Sequence, residues 1–230
     1  MFYNIDMEKL QITKKVQNDY YVKSTSDFNR LAEIINLMPN YAVKSKKQGI
    51  VINDYFYEVP ERLLQQLNAS IRVRVCGDQQ SLSIVCYSEG KRREFETEMN
   101  YGDKIQDKNE YILFLEDKLQ DIYTHRIDID IARILKGLKV FLQITTYRTE
   151  YEVINNSGFN ALVDFDNVVF NTKRHKISDN VLEVKLNCLN DVGNMTAYTR
   201  FCHELEQRVL LVPTQETKFE AGRRVFNYEW

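Results

Sequence analysis

The chain has 230 residues, of which 8 are glycine and 3 are proline. The two closest glycines, Gly90 and Gly102, are twelve positions apart, whereas a P-loop or a Rossmann fingerprint needs two or three glycines within about six residues. Both glycine-rich phosphate cradles are therefore excluded, and any phosphate would have to be bound by side chains. The net charge of −2 also excludes a basic footprint for nucleic acid over the whole protein, although local basic strips remain compatible with it.

Hydrophobic residues make up 43% of the chain and charged residues 28%, values typical of a globular protein that folds in water. No apolar run approaches the roughly 18 residues that cross a bilayer, and the first ten residues lack the apolar segment of a signal peptide. The four cysteines lie far apart without a Cys-x-x-Cys pair, which favours a cytoplasmic protein with reduced thiols. The three histidines are also scattered, so neither a zinc site nor a histidine-based triad is expected.

The scarcity of glycine and proline predicts long strands and helices joined by short polar turns. Alternation predicts a first strand over residues 9–16, and residues 26–37 form an amphipathic helix with Ser26 as its N-cap and Pro39 after its end. Further strands are predicted over residues 42–47, 50–57, 70–77, 81–87, 92–99, 139–153, 160–170 and 180–187. Further helices are predicted over residues 60–67, 105–123, 129–136, 194–210 and 216–224. This order is typical of an α+β protein with an antiparallel sheet.

Charged residues repeat at two-residue spacing on at least five predicted strands, and this spacing places them on one face of each strand. Arg72 and Arg74, for example, alternate with Ile71, Val73 and Val75. The other sets are Glu94, Glu96 and Glu98; Arg148, Glu150 and Glu152; Asp164 and Asp166; and Glu183 and Lys185. Gln11, Thr13 and Lys15 share a face in the same way, with Lys15 as the charged member. The opposite faces are almost entirely apolar and need a cover, which the helices can supply.

An antiparallel sheet with one solvated face explains any single one of these strands. The whole set is better explained by an antiparallel β-barrel (tunnel) of about eight strands, with helices packed outside and charges inside. Unpaired buried charge is unfavourable, so the interior must hold water, ions or an anionic ligand. Arginine and lysine suit phosphate oxygens, and carboxylates suit Mg²⁺ or Mn²⁺. A phosphate chain with a metal ion would match both kinds of side chain.

Several segments resemble, in the same order, motifs of the triphosphate tunnel metalloenzyme superfamily, which includes CYTH domains and polyphosphate-polymerase (VTC-type) domains. Residues 56–60 resemble its Tyr-Phe-Asp-Thr-Pro strand end, and residues 69–74 its Ala-x-Leu-Arg-x-Arg strand. The other matching segments are residues 91–98, 148–152, 161–167, 181–186 and 212–219. The resemblance covers most of the chain and implies one tunnel domain over residues 1–230, in a divergent member of the superfamily.

The resemblance implies roles for particular residues. The substrate-binding residues that follow from it are Lys15, Arg72, Arg74, Arg93, Lys185 and Lys218. The metal, Mg²⁺ or Mn²⁺, would be held by Glu96, Asp166 and Glu183. Arg148 would stabilise the charge on the transferred phosphoryl group, and Glu94 would orient the attacking water.

The chain also departs from the family pattern. The best match to the family's first strand, Glu-x-Glu-x-Lys, is Gln11-Ile12-Thr13-Lys14-Lys15, which keeps the lysine and lacks both metal-binding glutamates. The strand Ser83-Ile84-Val85-Cys86-Tyr87 lacks the family's phosphate-binding lysine. Replacing two carboxylates by neutral groups removes two hard ligands and weakens Mg²⁺ binding.

Two classes of function follow. An enzyme would bind, and hydrolyse or transfer, inorganic tri- or polyphosphate or a nucleoside triphosphate, as a triphosphatase or in the manner of a polyphosphate polymerase or adenylyl cyclase. The alternative is a polyanion sensor or interaction protein that kept the tunnel and lost the Glu-x-Glu metal site. The expected partner is a phosphate-chain small molecule or polyphosphate. No nucleic-acid duplex and no membrane span are expected, and the protein would be a monomer or a dimer.

Overall fold

The computed structural model of the protein describes residues 17–88, 91–123, 130–156, 158–172, 176–186 and 192–226. The strands in these residues are β1 (Gln17–Val22), β2 (Tyr41–Glu58), β3 (Ala69–Cys76), β4 (Gln79–Ser88), β5 (Lys91–Met99), β6 (Lys139–Asn155), β7 (Asn160–Asn171), β8 (Lys176–Leu186) and β9 (Leu211–Thr214). The helices are α1 (Thr25–Asn36), α2 (Leu63–Gln66), α3 (Asn109–Tyr123), α4 (Ile131–Gly137), α5 (Val192–Arg208) and α6 (Lys218–Phe226).

The described strands form one sheet in the hydrogen-bonded order β5-β4-β3-β2-β6-β7-β8-β1-β9. The pairs β2–β3, β3–β4 and β4–β5 are antiparallel. The predicted α+β class with an antiparallel sheet is confirmed, with nine described strands in place of about eight. The order begins at β5 and ends at β9, so the described strands do not close the sheet through hydrogen bonds.

The chain divides into two compact units. The first unit contains the described residues of 1–46, 150–164 and 182–213, and the second those of 47–149, 165–181 and 214–230. In the first unit, Tyr41 and Phe159 pack against Phe201 of α5, with ring centroids 4.9 and 5.3 Å from that ring. The four longest strands, β2, β6, β7 and β8, each contribute residues to both units.

The core of the second unit lies between one face of β3–β4–β5 and three helices. On the sheet side, Ile71, Val73, Leu82 and Ile84 are buried. The helices cover them with buried apolar residues from α2, α3 and α4, namely Leu64, Tyr111, Leu115, Leu119, Ile134 and Leu135. This arrangement confirms that helices cover the apolar side of the charged strands, and it leaves the arginines of β3 on the other face.

Several element boundaries differ from the sequence predictions. The N-cap of α1 is Ser24, whose Oγ accepts a hydrogen bond from the Asp27 backbone N–H at 3.2 Å, so the predicted cap at Ser26 was wrong. The two strands predicted over 42–47 and 50–57 form one strand. Gly49 lies between them with a φ of 74°, which glycine adopts without steric strain, so the strand continues through this position. The predicted helix over 105–123 begins at Asn109, after a short 3-10 turn at Ile105–Asp107.

Two short strands were not predicted from the sequence. β1 and β9 have six and four residues, and sequence alternation did not identify either. The strand predicted over residues 9–16 lies outside the described residues.

Among the described helices, none combines the length and apolar character needed to cross a membrane.

Glu58 at the end of β2 fixes the chain that leads into α2. Its buried carboxylate accepts hydrogen bonds from the backbone N–H groups of Val59, Leu64 and Gln65, at 2.9, 3.0 and 3.0 Å. A carboxylate at this position satisfies N–H groups that a helix start would otherwise leave without partners. Burial raises the pKa of the Glu58 carboxyl above its ordinary value, although the three N–H groups act in the opposite direction.

We predict that Glu58→Ala lowers the free energy of unfolding by about 2 kcal/mol, because it leaves three N–H groups without their acceptor. Thermal or urea unfolding followed by circular dichroism measures the change. The matched control is Glu61→Ala, which removes an exposed ion pair with Arg133 and should change stability much less. Equal effects of the two substitutions would contradict the assigned role of Glu58.

Candidate functional site

The candidate site begins with two arginines on one face of β3. Their side chains alternate with Ile71 and Val73, which face the helices. In the antiparallel register, Arg72 lies between Phe56 of β2 and Ser83 of β4, and Arg74 lies between Asp54 and Ser81. Directly paired residues in antiparallel strands share a face, so Asp54, Arg74 and Ser81 form one polar row across three strands. Phe56, Arg72 and Ser83 form the next row on the same face. β5 adds Glu94 and Glu96 to the same face.

Asp54 holds Arg74 through two parallel hydrogen bonds. The Arg74 Nε lies 2.7 Å from Asp54 Oδ1, and a terminal guanidinium nitrogen lies 2.8 Å from Oδ2. The Asp54 side chain is only 6% exposed. Burial lowers the pKa of Arg74, but the bonds to Asp54 and the charges of Asp54 and Glu96 outweigh burial and raise it. This fork uses two of the five guanidinium N–H donors and leaves three for other acceptors.

Arg72 is the more deeply buried of the pair, with 13% of its side chain exposed. Its Nε donates to Ser83 Oγ at 3.1 Å, and a terminal nitrogen donates to Glu94 Oε1 at 3.0 Å. Asp54 Oδ1 lies 3.8 Å from the Arg72 Nε. Burial and the charge of Arg74 lower the pKa of Arg72, despite the neighbouring carboxylates. Arg74 is more exposed, at 39% of its side chain. Two adjacent guanidinium groups favour an anion between or above them.

A second cationic group comes from β6 and α6. Arg148 donates from Nε and a terminal nitrogen to the two oxygens of Asp166, at 2.8 and 2.7 Å. Lys218 Nζ, at the start of α6, lies 2.5 Å from Asp166 Oδ2. The Asp166 side chain is fully buried, so one carboxylate orients two cations. The positive charge of Arg148 acts to lower the pKa of Arg74, in opposition to the larger effects of Asp54 and Glu96. We call Arg72, Arg74, Arg148 and Lys218 the basic cluster.

The sequence of α6 explains how Lys218 reaches this position. Thr217 and Glu220 form a capping box: the Thr217 Oγ1 accepts from the Glu220 N–H, and the Glu220 carboxylate accepts from the Thr217 N–H. Phe219 stacks on Phe56 with ring centroids 4.5 Å apart. A Cβ on Gly222 would lie 2.7 Å from Leu142, so the helix approaches the sheet closely where this residue is glycine. Since Phe56 pairs with Arg72, α6 packs on the face that carries the arginines.

The other predicted site residues make no described ion pair with the arginines of β3. Glu96 lies on the same face as these arginines, where it is exposed and accepts a hydrogen bond from Ser81. Arg93 pairs in register with Cys86 and therefore belongs to the opposite face, beside the apolar core. Glu183 is half-buried in β8 and belongs to the first unit. Lys15 and the side chain of Lys185 lie outside the described residues. The roles predicted for these residues remain predictions.

The described carboxylates do not form a cluster for Mg²⁺ or Mn²⁺. In the part of the chain that the structure describes, no three His, Cys, Asp or Glu side chains lie close enough together to hold a metal ion. Mg²⁺ is usually bound by one or two carboxylates together with water and substrate phosphates. Asp166, one of the predicted ligands, has both oxygens bonded to Arg148 and Lys218, so these two cations would compete with a metal ion for it.

Asp54 is the residue of this site that the sequence analysis did not identify. It stands between the aromatic and apolar residues of β2, without a second acid at two-residue spacing. Its partners, Arg72 and Arg74, lie 18 and 20 positions further along the chain, and only the β2–β3 register brings them together. A single acid within the mostly apolar residues 50–57, followed by a strand that carries two arginines on one face, is the sequence signal that could have identified Asp54.

The family model for the CYTH domain matches residues 20–189 of this chain. Among solved structures, a candidate adenylate cyclase from Bacillus halodurans is similar, with 13% identity and a TM-score of 0.55 over 90% of this chain and 96% of that one. A candidate adenylyl cyclase from Hippeastrum with a dominant triphosphatase activity has 13% identity and a TM-score of 0.52, over 92% and 96% of the two chains. At these identities, the likeness establishes the fold alone. No curated protein matches the chain by sequence.

The family match spans most of the chain and includes both arginines of β3, Arg148 and Asp166. The resemblance suggested by the strand motifs is thereby confirmed, and the chain belongs to the CYTH domain family, within the triphosphate tunnel metalloenzymes.

Proposed function

We propose that this protein binds a chain of phosphate groups, as inorganic tri- or polyphosphate or the triphosphate of a nucleotide, through the basic cluster. The observation that carries the proposal is the pair of adjacent guanidinium groups at Arg72 and Arg74, whose side chains are 13% and 39% exposed, with Arg148 and Lys218 in the same compact unit. Guanidinium groups bind phosphate oxygens through paired N–H donors, and the lysine adds a compact positive charge. No glycine cradle is needed.

The carboxylates of the site are consistent with this function. Asp54 and Asp166 each hold an arginine by a two-bond fork, and the fork at Asp54 uses two of the five N–H donors of Arg74. The arginines are thus oriented before a ligand arrives, which reduces the conformational entropy lost on binding. A linear polyanion would meet several positive groups at once, whereas a single phosphate would meet fewer. We expect affinity to increase with the number of phosphate groups.

A second candidate function is hydrolysis of the bound phosphate chain. It is supported by the family membership and by the triphosphatase activity of the Hippeastrum protein of similar fold. Metal-dependent chemistry is typical of this superfamily, but the carboxylates described here do not converge on a metal ion. Arg148 would stabilise negative charge on the transferred group, and Glu94 would orient water. Binding without turnover remains the alternative, in which the protein senses a polyanion.

We predict that wild-type protein binds inorganic triphosphate in isothermal titration calorimetry, and that Arg72→Ala and Arg148→Ala each weaken binding by about 10- to 100-fold. This range corresponds to the loss of a charged hydrogen-bonding group. The control is Arg133→Ala, which removes the same charge from an exposed site on α4 and should leave affinity unchanged. If wild type and Arg72→Ala bind equally, the basic cluster is not the phosphate site.

We predict that triphosphate binding persists after divalent ions are removed with EDTA, because the proposed ligands are guanidinium and ammonium groups. The same calorimetric titration, with and without EDTA and with added Mg²⁺ or Mn²⁺, measures this. Loss of binding in EDTA would contradict a metal-independent site.

Phosphate release from triphosphate and from ATP, measured with and without Mg²⁺ or Mn²⁺, tests the second candidate function. Release by wild type that Arg148→Ala abolishes would establish hydrolysis. Release no greater than the blank would leave the polyanion-binding function alone.

A further inference from the structure

Two carboxylates contact the arginine pair, and they do so from different strands. Asp54 lies on β2 and is almost fully buried, with 6% of its side chain exposed. Glu94 lies on β5, at one end of the described strand order, with 28% of its side chain exposed. The two residues carry the same charge, but they differ in burial, in reach and in how they bind arginine.

Asp54 fixes the plane of the Arg74 guanidinium. Two parallel bonds of 2.7 and 2.8 Å define both the position and the rotation of that group, which one bond would not do. The same carboxylate lies 3.8 Å from Arg72 Nε, so it sets the spacing of both arginines. Because leaving the almost fully buried Asp54 carboxylate without its counter-ion is unfavourable, this contact would persist when a ligand binds.

Glu94 makes a different kind of contact. One oxygen accepts from a terminal nitrogen of Arg72 at 3.0 Å, and the side chain reaches across β4 from a partly exposed position. A terminal guanidinium N–H is also the donor that a phosphate oxygen would use. A glutamate can rotate away at a small energetic cost where it is exposed to water, so this contact is the one that a phosphate chain would replace.

We propose that Asp54 is a positioning residue for phosphate binding and that Glu94 is a competing counter-ion that shields Arg72 in the ligand-free protein. The two carboxylates then have opposite effects on affinity for a phosphate chain. This inference rests on the proposed function of the basic cluster. Under this proposal, the buried Asp54 increases the affinity of the site for a phosphate chain, and the partly exposed Glu94 reduces it.

The net charge alone predicts a different effect of these two carboxylates on affinity, so the proposal can be tested. Asp54→Asn and Glu94→Gln each remove one negative charge close to the arginines. If only the net charge mattered, both substitutions would strengthen the binding of a polyanion. If Asp54 acts by position, its loss weakens binding despite the gain in net positive charge.

The experiment is calorimetric titration of inorganic triphosphate into wild-type protein and the two variants at one fixed salt concentration. We expect Asp54→Asn to raise the Kd by about tenfold, through loss of preorganisation, and Glu94→Gln to lower the Kd by about threefold, through loss of an exposed ion pair. The matched control is Glu98→Gln, which removes the same charge from the same face of β5 and has no described ion pair with either arginine. Its effect should lie close to wild type.

A double-mutant cycle separates positioning from a general loss of structure. Arg74→Lys keeps the charge but cannot form the two-bond fork. If Asp54 acts through Arg74, Asp54→Asn should weaken binding much less in the Arg74→Lys background than in wild type. Additive effects would instead assign the loss to a structural change elsewhere. Unfolding curves without ligand accompany each titration.

Asp54→Glu provides a second variant if Asp54→Asn does not fold. It keeps the negative charge and lengthens the side chain by one methylene, so any loss of affinity reports position alone. Tighter binding by Asp54→Asn, or unchanged binding by Asp54→Glu, would overturn the positioning role, and weaker or unchanged binding by Glu94→Gln would overturn the competing role. If neither wild type nor any variant binds triphosphate, the proposed function itself fails, and that result is distinct from the others.

Discussion

The placement of two like charges on one face of β3 is the constraint on which the second unit depends. Arg72 and Arg74 point away from the apolar core because their neighbours in β3 point into it, and the sheet gives them no third direction. Their charge must then be balanced by groups on neighbouring strands. Asp54 provides that balance from β2, and Glu94 provides part of it from β5. The polar face is therefore a network of paired charges.

The same constraint appears again at Asp166. Its fully buried carboxylate would be strongly unfavourable alone, and the fork with Arg148 together with Lys218 stabilises it. One strand, β6, supplies the arginine, while α6 supplies the lysine through a capping box and an aromatic stack. Because several elements must meet to satisfy this one acid, the position of α6 and the position of the basic cluster are coupled.

This pairing also bears on how far the chain has diverged within its family. Asp166, which the resemblance predicts as a metal ligand, is here bonded to Arg148 and Lys218. The first-strand segment carries neutral groups where the family pattern has two glutamates. Both observations support the proposal that the protein's own cations contact the phosphate chain.

The sequence by itself determined much of the architecture. Alternation at two-residue spacing identified β3, β4 and β5 closely and placed Arg72 with Arg74 and Glu94 with Glu96, since the side-chain period of a strand is a local property. The order of motifs was enough to indicate the family. The boundaries of helices and strands were predicted less accurately, because neighbouring residues can fill the same role. Ser24, and not Ser26, caps α1, and β2 continues through Gly49.

Only the tertiary structure decided which charges meet. Asp54 and Arg74 are brought together by strand register, and Asp166 and Lys218, 52 positions apart, by the packing of α6. Arg93 and Glu94 are adjacent in sequence, yet the pleat sends them to opposite faces, and only the pairing with β4 shows that one of these faces carries the arginines. Sequence spacing specifies the face on which a side chain lies. The partner across that face depends on long-range pairing, which no local pattern encodes.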